Sequence, residues 1–200
     1  MPIEVDEARR LDEIAVATIQ VARERGVRAA TIRAVAQRLG GSTAMVTNYV
    51  PSRADLMINA LRHAEDLWKQ ELEDEVLDGL DGMERLTALI RWMCTTTQDD
   101  EVLRRLLMEI LSEGPKAGAA VERVRSAMAR SNHEEMRLMV ANAGLRDTEL
   151  AADVLHLLVR GCWLSMLESP QDWSTDRSTR AALAVLELLR GPEGETPASS

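Results

Sequence analysis

Between residues 42 and 49 the sequence STAMVTNY places Ser42, Thr43, Thr47, Asn48 and Tyr49 around a single apolar anchor, Val46. Hydroxyls and a carboxamide are short donors and acceptors, suited to reading hydrogen-bonding edges and phosphate oxygens rather than to breaking bonds. The stretch holds no acid, so a polyanion would meet no repulsion there. Arg33 upstream and Arg53 downstream add guanidinium forks that match phosphate geometry.

Such side chains are useful only if rigid elements aim them, and the flanking sequence supplies those elements. Leu11, Ile14, Ala15, Thr18, Val21 and Ala22 recur at helical spacing from about Glu7 to Arg25, and Gly26 follows as a stop. Thr31 is placed to cap a second helix with Ile32, Val35, Ala36 and Leu39 inward, and Gly40 ends it. Ser42 caps a third helix over about Thr43 to Tyr49, and Pro51 stops it. Ser52, with Asp55 three residues on, starts a long fourth helix that reaches toward Asp74. Beyond the turn DGLDG at 78–82, periodicity predicts helices near 83–98, 100–112, 118–143, 148–168 and 175–190.

The spacing of the second and third helices fits a helix-turn-helix, in which two short helices cross steeply and the second enters a DNA major groove. Ala36 supplies the small residue at the crossing, Gly40 the turn position that tolerates positive φ, and Val46 the anchor of the second helix. Charge supports the same reading. The chain carries a formal net charge of -9, but residues 23–53 hold six arginines against Glu24 alone, so a cationic head precedes an anionic body.

Composition narrows the fold class. The 200 residues are 46% hydrophobic with no Phe and one Tyr, and are rich in Ala, Leu, Val, Met and Arg, which favours helix over sheet. The expectation is an all-α chain of about nine helices: a three-helix domain over 1–52, a six-helix body over 53–190 and a disordered tail over 191–200. No run approaches about 18 uncharged residues and MPIEVDEARR is charged, which predicts a cytoplasmic protein without a membrane span. Cys94 and Cys162 read as buried, reduced thiols. His63, His133 and His156 share no metal-ligand spacing, and no nucleophile–base pair or phosphate loop is evident, so neither a metal, a cofactor nor an enzyme activity is expected.

The segment AATIRAVAQRLGGSTAMVTNYVPSRADLM, with the helix before it and the long helix after it, resembles the N-terminal domain of the TetR family of transcriptional regulators. Thr31, Ala36, Leu39, Gly40, Ser42, Tyr49, Ser52 and Leu56 fall in register with that family's pattern, and Arg53 stands where a Lys is usual. The resemblance implies a double-stranded DNA operator as partner, contacted by Thr31, Arg33, Ser42, Thr43, Ala44, Thr47, Asn48, Tyr49 and Arg53. Three departures bear on those contacts: Gly41 replaces the usual Val, Thr47 a Tyr that touches phosphate, and Val50 an aromatic residue. Gly41 and Val50 are expected to loosen the head, and Thr47 to remove one backbone contact.

For the body the resemblance implies an effector-binding domain and a homodimer built through the last two helices. The sequence agrees, since both helices are more apolar than one buried stripe requires and Gly161 sits mid-helix at a cost of about 1 kcal/mol relative to Ala. Arg160 stands where many relatives have an acid. Trp92, Thr96 and Thr97 on the fifth helix, Met108 and Leu111 on the sixth, and Trp163 and Met166 on the eighth are the candidate lining of a pocket for a mostly apolar small-molecule effector. Ligand-relieved repression is the function expected; the alternative is a DNA-bound structural or interaction protein of the same fold without an effector.

Overall fold

A computed structural model describes residues 3–95, 98–113 and 118–190, and the tail 191–200 lies outside them. Among the described residues there are nine α-helices and no strand. They are α1 (Ile3–Arg25), α2 (Ile32–Arg38), α3 (Thr43–Thr47), α4 (Arg53–Glu71), α5 (Gly82–Met93), α6 (Gln98–Glu113), α7 (Ala119–Asn142), α8 (Thr148–Glu168) and α9 (Thr175–Arg190). A short 3₁₀ turn at Val27–Ala29 and a π-helical turn at Leu72–Val76, neither of which periodicity signals, follow α1 and α4. The chain divides into two compact units: Met1–Glu71 with Thr96–Ala129, and Leu72–Thr95 with Arg130–Ser200.

In the first unit the predicted inward face of α1 is the buried one. Ile14, Ala17 and Val21 pack with Val35 and Ala36 of α2, Val46 of α3, Val50, and Leu56 of α4. A second cluster joins Met57, Ile58 and Leu61 of α4 to Leu103, Leu106 and Ile110 of α6 and Val121 of α7. The unit that holds the helix-turn-helix therefore also includes α4, α6 and the start of α7. Asn59 fixes α4 to α1 by donating from Nδ2 to the Leu11 carbonyl at 2.8 Å.

The second unit is built on Leu86, Leu89 and Ile90 of α5, Met136 and Val140 of α7, Leu155, Val159, Cys162 and Met166 of α8, and Ala182 and Leu186 of α9. Arg85 holds the turn before α5, donating to the Leu77 carbonyl at 2.9 Å and pairing with Glu73 at 2.6 Å. By length and composition α8 could cross a membrane. It carries Asp153 and Arg160, and Ala152, Leu155 and Val159 are buried in the unit.

Candidate nucleic-acid interface

The helix-turn-helix is defined by its caps. Thr31 Oγ1 accepts from the Ala34 N–H at 3.2 Å and opens α2. At the other end Gly40, at φ 68°, turns the chain in the left-handed region that glycine enters without a Cβ penalty. The Gly40 N–H donates to the Gln37 carbonyl at 3.2 Å and the Gly41 N–H to the Ala36 carbonyl at 2.9 Å. This pair of bonds is a Schellman motif, and it satisfies carbonyls that a helix end leaves open. Ser42 Oγ then accepts from the Met45 N–H at 3.3 Å and starts α3. α3 is only five residues long, too short to persist alone, so tertiary packing through buried Val46 must hold it.

With Val46 fixed inward, the side chains that face solvent are the expected ones. Ser42, Thr43, Ala44 and Asn48 are exposed, while Thr47 is half-buried and its hydroxyl donates to the Ala44 carbonyl at 3.4 Å. Tyr49 is half-buried with its ring against the core of the head. Arg33 is exposed near the start of α2 and has no partner among the described residues. Arg28, on the turn before α2, is equally exposed and unpartnered among them. In the sequence it is visible only as one member of the arginine run.

Two other arginines of that run are bonded within the first unit. Arg38 donates from Nε to Gln20 at 2.7 Å and from Nη1 to Glu24 at 2.8 Å, linking α2 to α1. Arg53 donates from Nε to the Ala30 carbonyl and from Nη2 to the Val27 carbonyl and Glu109, each at 3.2 Å. Its guanidinium thus satisfies carbonyls of the turn that leads into the cap residue Thr31, and a phosphate would have to compete with those bonds.

The departure at Gly41 has a structural reason that spacing does not reveal. A Cβ built at Gly41 would lie 2.4 Å from Met45 Cε and 2.6 Å from its Sδ, so the Met45 thioether occupies the space a Val would need. Val50 is buried in the same cluster. Met45, a flexible side chain, thus fills the gap beside Gly41. Ser52 Oγ accepts from the Asp55 N–H at 3.1 Å and donates to Asp55 Oδ2 at 2.6 Å, which fixes the start of α4.

The candidate effector residues are distributed differently. α5 ends at Met93, with Cys94 as its C-cap, so Thr96 and Thr97 fall beyond that helix and outside the described residues. Met108 and Leu111 are exposed on α6 in the first unit. In the second unit Trp92 is half-buried, Met166 is buried in the core, and Trp163 packs on that core while its indole N–H donates to the Met93 carbonyl at 2.7 Å. A concavity of about 350 Å³ in this unit is lined by Met83, Glu84, Thr87, Arg91, Glu187 and Arg190 along with Ala88, and by none of the candidate effector residues. Among the described residues no group of three His, Cys, Asp or Glu side chains is arranged to hold a metal ion.

No family model matches the chain. The curated proteins it resembles are helix-turn-helix transcriptional regulators. The transcriptional repressor KstR of Rhodococcus jostii (strain RHA1) is 26% identical over 189 residues, covering 90% of this chain and 82% of the relative. Among solved structures, a TetR-family transcriptional regulator from Rhodococcus sp. matches with a TM-score of 0.71 at 18% identity, covering 92% of this chain and 100% of that one. A transcriptional regulator from Saccharomonospora viridis in complex with choline matches with a TM-score of 0.74 at 18% identity, covering 90% of this chain and 96% of that one. The chain is thus similar over most of its length to helix-turn-helix transcriptional regulators, and it shares the all-α fold of a TetR-family regulator.

Proposed function

We propose that the chain is a cytoplasmic repressor that binds a palindromic DNA operator as a homodimer and is released by a small, mostly apolar effector. The observation that carries the DNA reading is the outer face of α3: a helix too short to stand alone is anchored by buried Val46, and it presents hydroxyls, a methyl and a carboxamide to solvent without an acid. Thr43, Ala44 and Asn48 face base edges, Thr31, Ser42, Thr47 and Tyr49 serve the backbone, and Arg33 reaches a base or a phosphate. Arg53 acts by positioning, through the 27–30 turn that it holds. The functional division is a reading head over 1–52 and an effector and dimer body over 53–190, with the tail 191–200 outside both.

Dimerisation through α8 and α9 is supported by their outward faces. Leu150, Leu157 and Leu164 recur at seven-residue spacing on α8 and are exposed, Leu157 by 68%. Leu188 of α9 is 80% exposed. Apolar side chains in such a stripe are covered when a second copy presents the same face, as two-fold symmetry requires. Two reading heads must then meet half-sites about 34–36 Å apart, so an effector that favours another spacing weakens binding.

A second reading, a regulator without an effector, is favoured by the filled surroundings of Trp163, whose indole N–H is already satisfied and whose ring packs on the core. The deciding experiment selects bound fragments from genomic DNA, measures affinity for the recovered site by fluorescence anisotropy, and repeats it with candidate effectors including choline, the ligand of the Saccharomonospora viridis protein. A palindromic site bound by two chains supports the proposal. Indifference to every duplex at low salt overturns it, and an operator complex that no small molecule releases supports the second reading.

A further inference from the structure

The turn that leads into α2 lies where two packing clusters of the first unit meet. Ala30 is buried with Leu106 and Ile110 of α6 and Ala54 of α4, and Val27 packs against the same group. Two residues beyond Ala30, Ile32 packs instead with Val35 of α2 and Val46 of α3. The Ala29 N–H donates to the Gly26 carbonyl at 3.0 Å and the Ala30 N–H to the Val27 carbonyl at 3.1 Å, which closes the turn. The Thr31 cap, and with it the start of α2, therefore rests on how this turn sits on α6.

A polar tether fastens the same seat. Glu109, next to buried Ile110 on α6, accepts from Arg53 Nη2 at 3.2 Å. The same nitrogen donates to the Val27 carbonyl, and Arg53 Nε donates to the Ala30 carbonyl, again at 3.2 Å. One planar guanidinium thus joins two acceptors on the turn to one on α6. The Arg53 and Glu109 side chains are 28% and 27% exposed, so water screens the pair less than it would a fully exposed one. Without the carboxylate, Arg53 would keep its carbonyls but lose the acceptor that ties them to α6.

We propose that Glu109 is a positioning residue for operator binding, which holds the 27–30 turn through Arg53 and so places Thr31 and Arg33 against the duplex. The inference rests on the DNA-binding reading and adds to it a residue of α6, outside the helix-turn-helix. Its role has a diagnostic sign. As a bare negative charge Glu109 repels a polyanion, and its removal would tighten binding. As a positioning residue its removal weakens binding.

The test measures, by fluorescence anisotropy, how full-length variants bind a duplex recovered by genomic selection with the wild-type protein. Glu109→Ala should bind about fivefold or more weakly although it removes a negative charge, with the salt slope unchanged. The double variant with Arg53→Ala should be no weaker than Arg53→Ala alone beyond about twofold, because both substitutions break one tether. Glu109→Gln, which keeps an acceptor oxygen, should fall between wild type and Glu109→Ala, and it serves the test if the alanine variant does not fold. In hydrogen exchange the loss of Glu109 should speed the Ala34 amide, which Thr31 caps, and spare the Met45 amide, which Ser42 caps. Unchanged or tighter binding, fully additive losses in the double variant, or equal acceleration of both amides each overturn the proposal. A wild-type protein that binds no duplex at low salt fails the DNA-binding reading and this inference together, whereas failure in the variants alone leaves that reading standing.

Discussion

Two exposed surfaces of this chain have opposite chemistry. The outer face of α3 shows Ser42, Thr43, Ala44 and Asn48, all small or polar, over a buried Val46. The outer face of α8 shows Leu150, Leu157 and Leu164 in a repeating stripe. Water solvates the first at little cost and the second poorly, so the first can exchange water for a polar ligand while the second gains by being covered. Exposure alone therefore says little about a partner. The chemistry of the exposed atoms separates a surface suited to a polar partner from one suited to an apolar partner.

The largest test of this contrast replaces apolar side chains on α8 by charges. Leu157→Asp combined with Leu164→Asp should convert a dimer to a monomer in sedimentation and weaken operator binding by about a hundredfold or more, because the second half-site is lost. Unchanged mass and affinity would remove α8 from the interface. On the polar surface, Arg33→Ala or Asn48→Ala should each cost about 1–3 kcal/mol of operator binding with helicity retained. Arg53→Ala is the contrasting variant: it should lower thermal stability and leave the salt dependence of binding unchanged, whereas a phosphate contact would reduce the salt slope by about one.

A smaller effect sharpens the comparison through its sign. A Cβ built at Gly161 meets nothing within 4 Å, so the protomer gives no reason for this glycine. Gly161→Ala should favour the isolated helix by about 1 kcal/mol while weakening dimerisation if a second copy approaches closely there. A variant that stabilises both would show that the helices do not meet at this position.

The smallest expected effect concerns His156. Burial, then Arg160 and His133, hold its pKa below the ordinary value of 6.5, with Asp153 opposing. The folded protein resists protonation at this site, so its stability contribution is intact above pH 6.5 and is lost as pH falls through the depressed folded value. His156→Gln should flatten this acid-side decline in thermal melts across that range, and an unchanged profile would remove His156 as its source.

Much of the fold was legible because its signals are local. The bounds of α8 and α9 follow from apolar period, and the caps at Thr31 and Ser42 and the turn at Gly40 follow from residue types whose hydrogen bonds lie within a few positions. The early end of α5 at Met93 and the π turn after α4 were not legible, since no glycine or proline stands at either place to mark a stop. Among the site residues, the exposure of Arg33 and Asn48 agrees with the sequence pattern, whereas the inward course of Arg53 does not follow from it.

Residue order within a turn or two of chain is enough to specify the helices, their caps and the polar outer face of α3, because each depends only on near neighbours. The packed molecule is needed to learn that Arg53 meets Glu109, that Met45 covers Gly41 and that Cys94 and Cys162 share one core cluster. The first and last of these pairs join distant helices, and the middle one depends on a rotamer. Periodicity records which face of a helix is buried but not which residue it meets there.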